Sequence, residues 1–187
     1  MSELSVMTPD GGSRFRAGTA WYASQRVTLS PENTSARNNA VVRTIVGAPA
    51  ERLVDLLHAF CVHLDPAVDV WMRDLRSGRR WRGALLPLPD ARDVIGRLRY
   101  TITAFGGIEL AVYTDQDQLT ITPELLLVID ARTDRWLYHL DAEGFESREV
   151  PPDPTWRPHV VARKRDAQLE ETLWVAAERL GLEEVRG

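Results

Sequence analysis

The sequence predicts an α+β domain built on a mostly antiparallel sheet, and three observations carry that expectation. Short stretches rich in β-branched and aromatic residues alternate apolar and polar positions, as half-buried strands do. Two longer stretches, opening at Pro49 and at Pro89, repeat their apolar residues at i, i+3, i+4 and i+7, the signature of one helix face. A tight turn, Arg76-Ser77-Gly78-Arg79, joins two of the strands and makes them antiparallel neighbours. With 187 residues, 44% apolar and 27% charged, the chain is long enough for one core and ordinary in composition.

Residues 1–20 are rich in Ser, Gly, Thr and Pro without periodicity, so a flexible arm is expected ahead of a single domain over 21–187. A β-prone stretch from Trp21 is broken at Ser30-Pro31-Glu32-Asn33, and the run from Ala40 to Val46 reads as a strand. Leu53, Leu56, Leu57, Phe60, Cys61 and Leu64 form a helical stripe that Asp65-Pro66 stops. Val68, Val70 and Met72 alternate with Asp69, Trp71 and Arg73, and a second strand returns from Arg80 to Leu86. The next helix is expected to take Asp90 as its N-cap with Asp93 in capping-box position. Its stripe is Ile95, Leu98, Ile102 and Phe105, and Gly106-Gly107 ends it before a strand from Ile108 to Thr114. This order matches a ferredoxin-like βαββαβ unit over about residues 40–114, a topological inference that says nothing about activity.

Further strands are expected at Leu119–Ile121, at Leu125–Ile129 (buried on both faces) and through the alternating Trp136, Tyr138 and Leu140. Pro151, Pro152, Pro154 and Pro158 mark an extended connection to a last helix, from about Arg163 to Leu180, which Gly181 stops. Three helices are thus expected over a sheet extended by hairpins.

Charge is unevenly spread. Of the 23 basic residues only Lys164 is a lysine, which fits codon bias in a GC-rich bacterial genome. Residues 73–82 hold five arginines against Asp74, a net of +4, and residues 108–150 hold ten acidic groups against three arginines, a net of −7. Such a dipolar surface orients a partner or a self-association. The overall charge of −4 argues against a general nucleic-acid binder.

No motif identifies a reaction. His58 and His63 point about 140° apart on a helix and cannot share a metal, and Cys61 lies on an apolar stripe where a thiol is inert packing. Gly11-Gly12 and Gly106-Gly107 do not stand between a strand and a helix start, as phosphate-cradling glycines do. Asp69, Glu109 and Asp130 lie on separate strands and would have to converge to form a metal-dependent nuclease cluster. Neither metal nor cofactor is therefore expected. The candidate binding residues are Arg76, Arg79, Arg80, Trp81 and Arg82 in the hairpin, with Trp71 and Arg73 beside them, because Arg and Trp concentrate at binding hot spots. The competing structural account is a hairpin whose charges discourage edge pairing, and it takes precedence because arginine is this chain's ordinary polar residue. The six tryptophans (Trp21, Trp71, Trp81, Trp136, Trp156 and Trp174) suit a ligand cleft, a core or a dimer face.

The expected function is a non-enzymatic protein-binding, adaptor, immunity or regulatory module that docks a protein partner or itself. The alternative is a nucleic-acid binder or metal-dependent nuclease using the Arg73–Arg82 hairpin. A lone cysteine and the lack of a secretory signal or a bilayer-length apolar run lead to an expected cytoplasmic location without membrane contact.

Overall fold

The computed structural model describes residues 20–28, 40–149 and 165–185. The expected N-terminal arm (all but Ala20), the Ser30–Asn33 break, the proline connection, Trp156 and His159 lie outside the described residues. In chain order the elements are β1 (Trp21–Thr28), β2 (Ala40–Gly47), α1 (Ala50–Phe60), a 3-10 turn (Cys61–His63), β3 (Ala67–Asp74) and β4 (Arg80–Pro87). They continue with α2 (Leu88–Phe105), β5 (Ile108–Tyr113), β6 (Asp117–Ile121), β7 (Leu127–Ala131), α3 (Arg135–Ala142), β8 (Glu146–Arg148), α4 (Ala167–Leu180) and β9 (Glu183–Glu184).

The strands form one nine-stranded sheet in the order β8-β1-β2-β7-β6-β5-β3-β4-β9. Every pairing is antiparallel except β1 with β8, so the mixed α/β architecture with a mostly antiparallel sheet is as expected. The ferredoxin-like unit expected over about residues 40–114 is not formed: it would place β2 between β4 and β5, whereas β3 lies between those two parallel strands, which α2 connects. The first strand of the expected unit, β2, is separated from β5 by β6 and β7. The cause is the apolar content of that later hairpin: Leu119, Ile121, Leu127 and Ile129 are fully buried, so β6 and β7 take central places in the sheet.

All four helices bury their stripes in one cluster with strand residues from a single sheet face, among them Tyr22, Val46, Val70, Met72, Trp81, Leu110, Leu119 and Ile129. Among the described residues no helix contributes to the other face. No helix among them is long and apolar enough to cross a membrane.

Three expectations need correction. Trp136, Tyr138 and Leu140 lie on α3, not on a strand; Trp136 and Leu140 are buried one helical turn apart while Tyr138 is exposed. Asp90 does not cap α2, which begins at Leu88 after Pro87 and has no side-chain cap bond. Pro89 already fixes a helical φ in the first turn, and Asp90 acts there only as a favourable charge. The strand expected at Leu125–Ile129 runs from Leu127 to Ala131 and is fully buried on one face only, with Val128 and Asp130 half-buried on the other.

Candidate functional site

The β3–β4 hairpin is organised by Asp74. Its carboxylate accepts from the amides of Arg76 and Ser77 at 3.1 Å each and from the Ser77 hydroxyl at 2.7 Å. Such local acceptance holds the chain in a turn. Gly78, at φ 74°, supplies the left-handed residue that the turn requires. The Asp74 and Arg76 side chains are each only 1% exposed, and they pair at 3.5 Å. From there the Arg76 guanidinium donates to the carbonyl oxygens of Phe105 and of Gly106, the latter at 2.8 Å. Carbonyls at a helix end lack intrahelical donors, and a cation suits that end of the dipole, so Arg76 closes the C-terminus of α2.

The remaining hairpin candidates divide by strand alternation. Trp81 points into the core, where its indole nitrogen is buried without a hydrogen-bond partner. Arg79 donates to both oxygens of Glu184 at 2.8 and 3.0 Å, which holds its pKa above the ordinary value. Its guanidinium also sits 5.0 Å from the ring centres of both Trp81 and Trp174, so it ties the turn to α4 and β9. Arg80 and Arg82 alternate with Trp81 and therefore lie on the helix-free face.

Strand registers lay out that face in rows across the sheet. One row runs Glu183, Arg82, Trp71, Ala111, Thr120, Val128, Ile45, Ala23 and Arg148, touching every strand. Above it Arg80, Arg73 and Glu109 stand side by side. Below it run Asp69, Tyr113, Gln118, Asp130, Arg43 and Gln25. The middle row is a band of small and apolar side chains with Trp71 at one end, bounded by arginines, while polar groups fill the rows beside it.

Nine arginines form ion pairs among the described residues, for example Arg43 with Asp130, Arg97 with Asp93, Arg99 with Asp55 and Arg165 with Glu170. Among the described residues, Arg73, Arg80 and Arg82 have no ion pair and no side-chain hydrogen bond, and the Arg73 Nε is buried without an acceptor. Arg73 and Arg80 are moreover direct cross-strand neighbours, an arrangement in which like charges repel.

The three acids weighed as a metal cluster do not converge. Asp69 and Asp130 share a row but stand three strand spacings apart, about 14 Å, and Glu109 is four residues along β5 from the Tyr113 that neighbours Asp69, about 13 Å away. Asp69 accepts from the Leu85 amide at 2.8 Å, and Asp130 takes both nitrogens of Arg43 at 2.7 and 3.0 Å. No group of three potential ligands gathers around a metal position among the described residues.

A second cluster was hidden from the sequence because α3 reads there as a strand. His63 and His139 stack with ring centres 4.1 Å apart, beside Phe60 and Trp136. The buried carboxylate of Asp117 accepts from the Trp136 indole at 2.8 Å and from Arg135, which also donates to the His63 carbonyl at 3.1 Å. His63 has its pKa lowered by burial first, then by His139 and Arg135. This cluster pins α3 to the end of α1.

Comparison of the chain with family models, with curated proteins and with solved structures gives no match. Fold and surface define it only as a mixed α/β protein with helices on one face of an antiparallel sheet.

Proposed function

We propose that the chain is a non-enzymatic protein-docking module, of adaptor, immunity or regulatory type, in a bacterial cytosol, and that the helix-free sheet face is its contact surface. The observation that carries this reading is the gathering of Arg73, Arg80 and Arg82, without ion pairs among the described residues, next to Trp71. Arginine and tryptophan supply much of the energy of protein interfaces, and unpaired charges at the rim steer encounter. Arg76 and Trp81 support this surface from beneath, and Arg79 braces it against α4.

A nucleic-acid reading draws on the same Trp71 and arginines. Glu109 directly opposite Arg73 and Glu183 directly opposite Arg82 weigh against it, since a continuous phosphate backbone meets both acids. Mixed charge in adjacent positions suits a protein surface better.

The test compares what co-purifies from the native host with wild-type protein, with Arg80→Glu/Arg82→Glu, and with a control pair, Arg97→Glu/Arg99→Glu, on the exposed side of α2. A protein retained by wild type and control but lost with the first pair is the expected result. Retention by all three ends this reading.

A further inference from the structure

We infer that the occupant of the basic corner is an acidic protein segment whose carboxylates, about 7 Å apart, meet Arg80 and Arg82 while an apolar side chain next to them rests beside Trp71; this rests on the docking reading above. The spacing follows from Arg80 and Arg82, which stand two residues apart on the same side of β4, at about 3.3 Å per residue. Trp71 is the direct cross-strand neighbour of Arg82 and lies one row below Arg73, so an apolar group beside the carboxylate at Arg82 meets Trp71.

Charge complementarity names the partner's chemistry. The fold matches arginine to carboxylate again and again, and bidentately at Arg43, Arg79 and Arg99. At this corner it sets Arg73 against Arg80, and among the described residues neither forms an ion pair, although Glu109 stands opposite Arg73 on the other side. Bound carboxylates remove that repulsion and give the forked guanidinium groups the planar acceptors they fit best. Trp71 then turns a purely electrostatic contact into one with an apolar anchor.

The test measures binding of two labelled peptides by fluorescence anisotropy: an oligoglutamate, and a peptide of the same charge with leucines between its glutamates. Both are expected to bind at low salt and to weaken as salt rises. The leucine-bearing peptide should bind about fivefold tighter, an advantage that Trp71→Ala removes. Arg80→Glu/Arg82→Glu should weaken both peptides by about tenfold or more, and Arg97→Glu/Arg99→Glu should not. Far-UV circular dichroism checks that each variant is folded, and Arg80→Gln/Arg82→Gln replaces the charge-reversed pair where that one is not. Absence of peptide binding overturns the inference, as does equal loss with the α2 control. Tighter binding of single-stranded DNA at matched salt gives the corner to nucleic acid instead, and a salt-sensitive dimer in sedimentation gives it to a second copy of the chain; either result overturns the inference. A co-purifying protein that still depends on Arg80 and Arg82 while the peptides fail would sink this inference and leave the docking reading standing.

Discussion

Replacing Asp74 with alanine tests whether the hairpin is built as an internal charge pair. The substitution removes acceptors for two backbone amides and the Ser77 hydroxyl, and leaves the Arg76 guanidinium at 1% exposure without its carboxylate. Removing one partner of a buried pair costs about 3–5 kcal/mol. The Phe105 and Gly106 carbonyls remain as acceptors for Arg76, which places the loss near the low end, about 3 kcal/mol. For a chain of this length that corresponds to a midpoint lowered by roughly 6–12 °C. Asp74→Asn keeps one acceptor oxygen and should lose about half as much. Urea unfolding followed by tryptophan fluorescence, with the slope unchanged among variants, supplies the measurement. If Asp74→Ala unfolds within about 1 kcal/mol of wild type, the pair contributes no more than an exposed one and the account of the turn is wrong.

Burial pushes the Cys61 thiol up to about 12, so a thiol reagent should leave the folded chain unmodified and react fully once urea unfolds it; ready labelling of native protein would contradict this. The His63 ring is held below the ordinary 6.5, so the native state takes up this proton at lower pH than the unfolded chain does. Its contribution to stability is therefore complete above pH 6.5 and declines as pH falls through that value, and His139→Ala should flatten the decline in urea midpoints and raise the His63 pKa seen by NMR. Gly47→Ala brings a methyl group to 2.4 Å from the Trp21 ring and should cost about 1–3 kcal/mol, with a shift in tryptophan emission. Leu85 is 80% exposed at φ 54°, so Leu85→Asn should be neutral or stabilising by up to about 1 kcal/mol in the same urea assay.

The elements most legible in the sequence were those whose burial pattern has a single period. The Leu53–Leu57–Phe60 and Ile95–Leu98–Ile102 stripes fit helices alone, and Val68–Val70–Met72 fits a strand alone. Trp136, Tyr138 and Leu140 satisfy both periods, because a four-residue spacing is one helical turn and also two strand repeats, and α3 was misread for that reason. With it went the stack of His63 on His139. Strand order was out of reach, since nothing local to β2 says that a hairpin formed eighty residues later will lie beside it. The hairpin arginines show the same limit: Arg76 is bound by carbonyls 29 and 30 residues away, which no reading of the turn foresees. The separation of Arg80 and Arg82 from Trp81, by contrast, follows from alternation along β4.

The passage of the chain from β2 through α1 to β3 has a consequence for how the protein is made. The strands β5, β6 and β7 that fill the space between β2 and β3 are all synthesised after both of them. A nascent chain that has emerged only to Tyr113 holds two unjoined pieces of sheet, and α1 still lacks β6, the strand it packs against. Closure waits for Ala131, when the last central strand can pair on both sides. Contacts of such long sequence separation slow folding, and until they form the inner edges of β2 and β5 stay open to chaperones or to other chains.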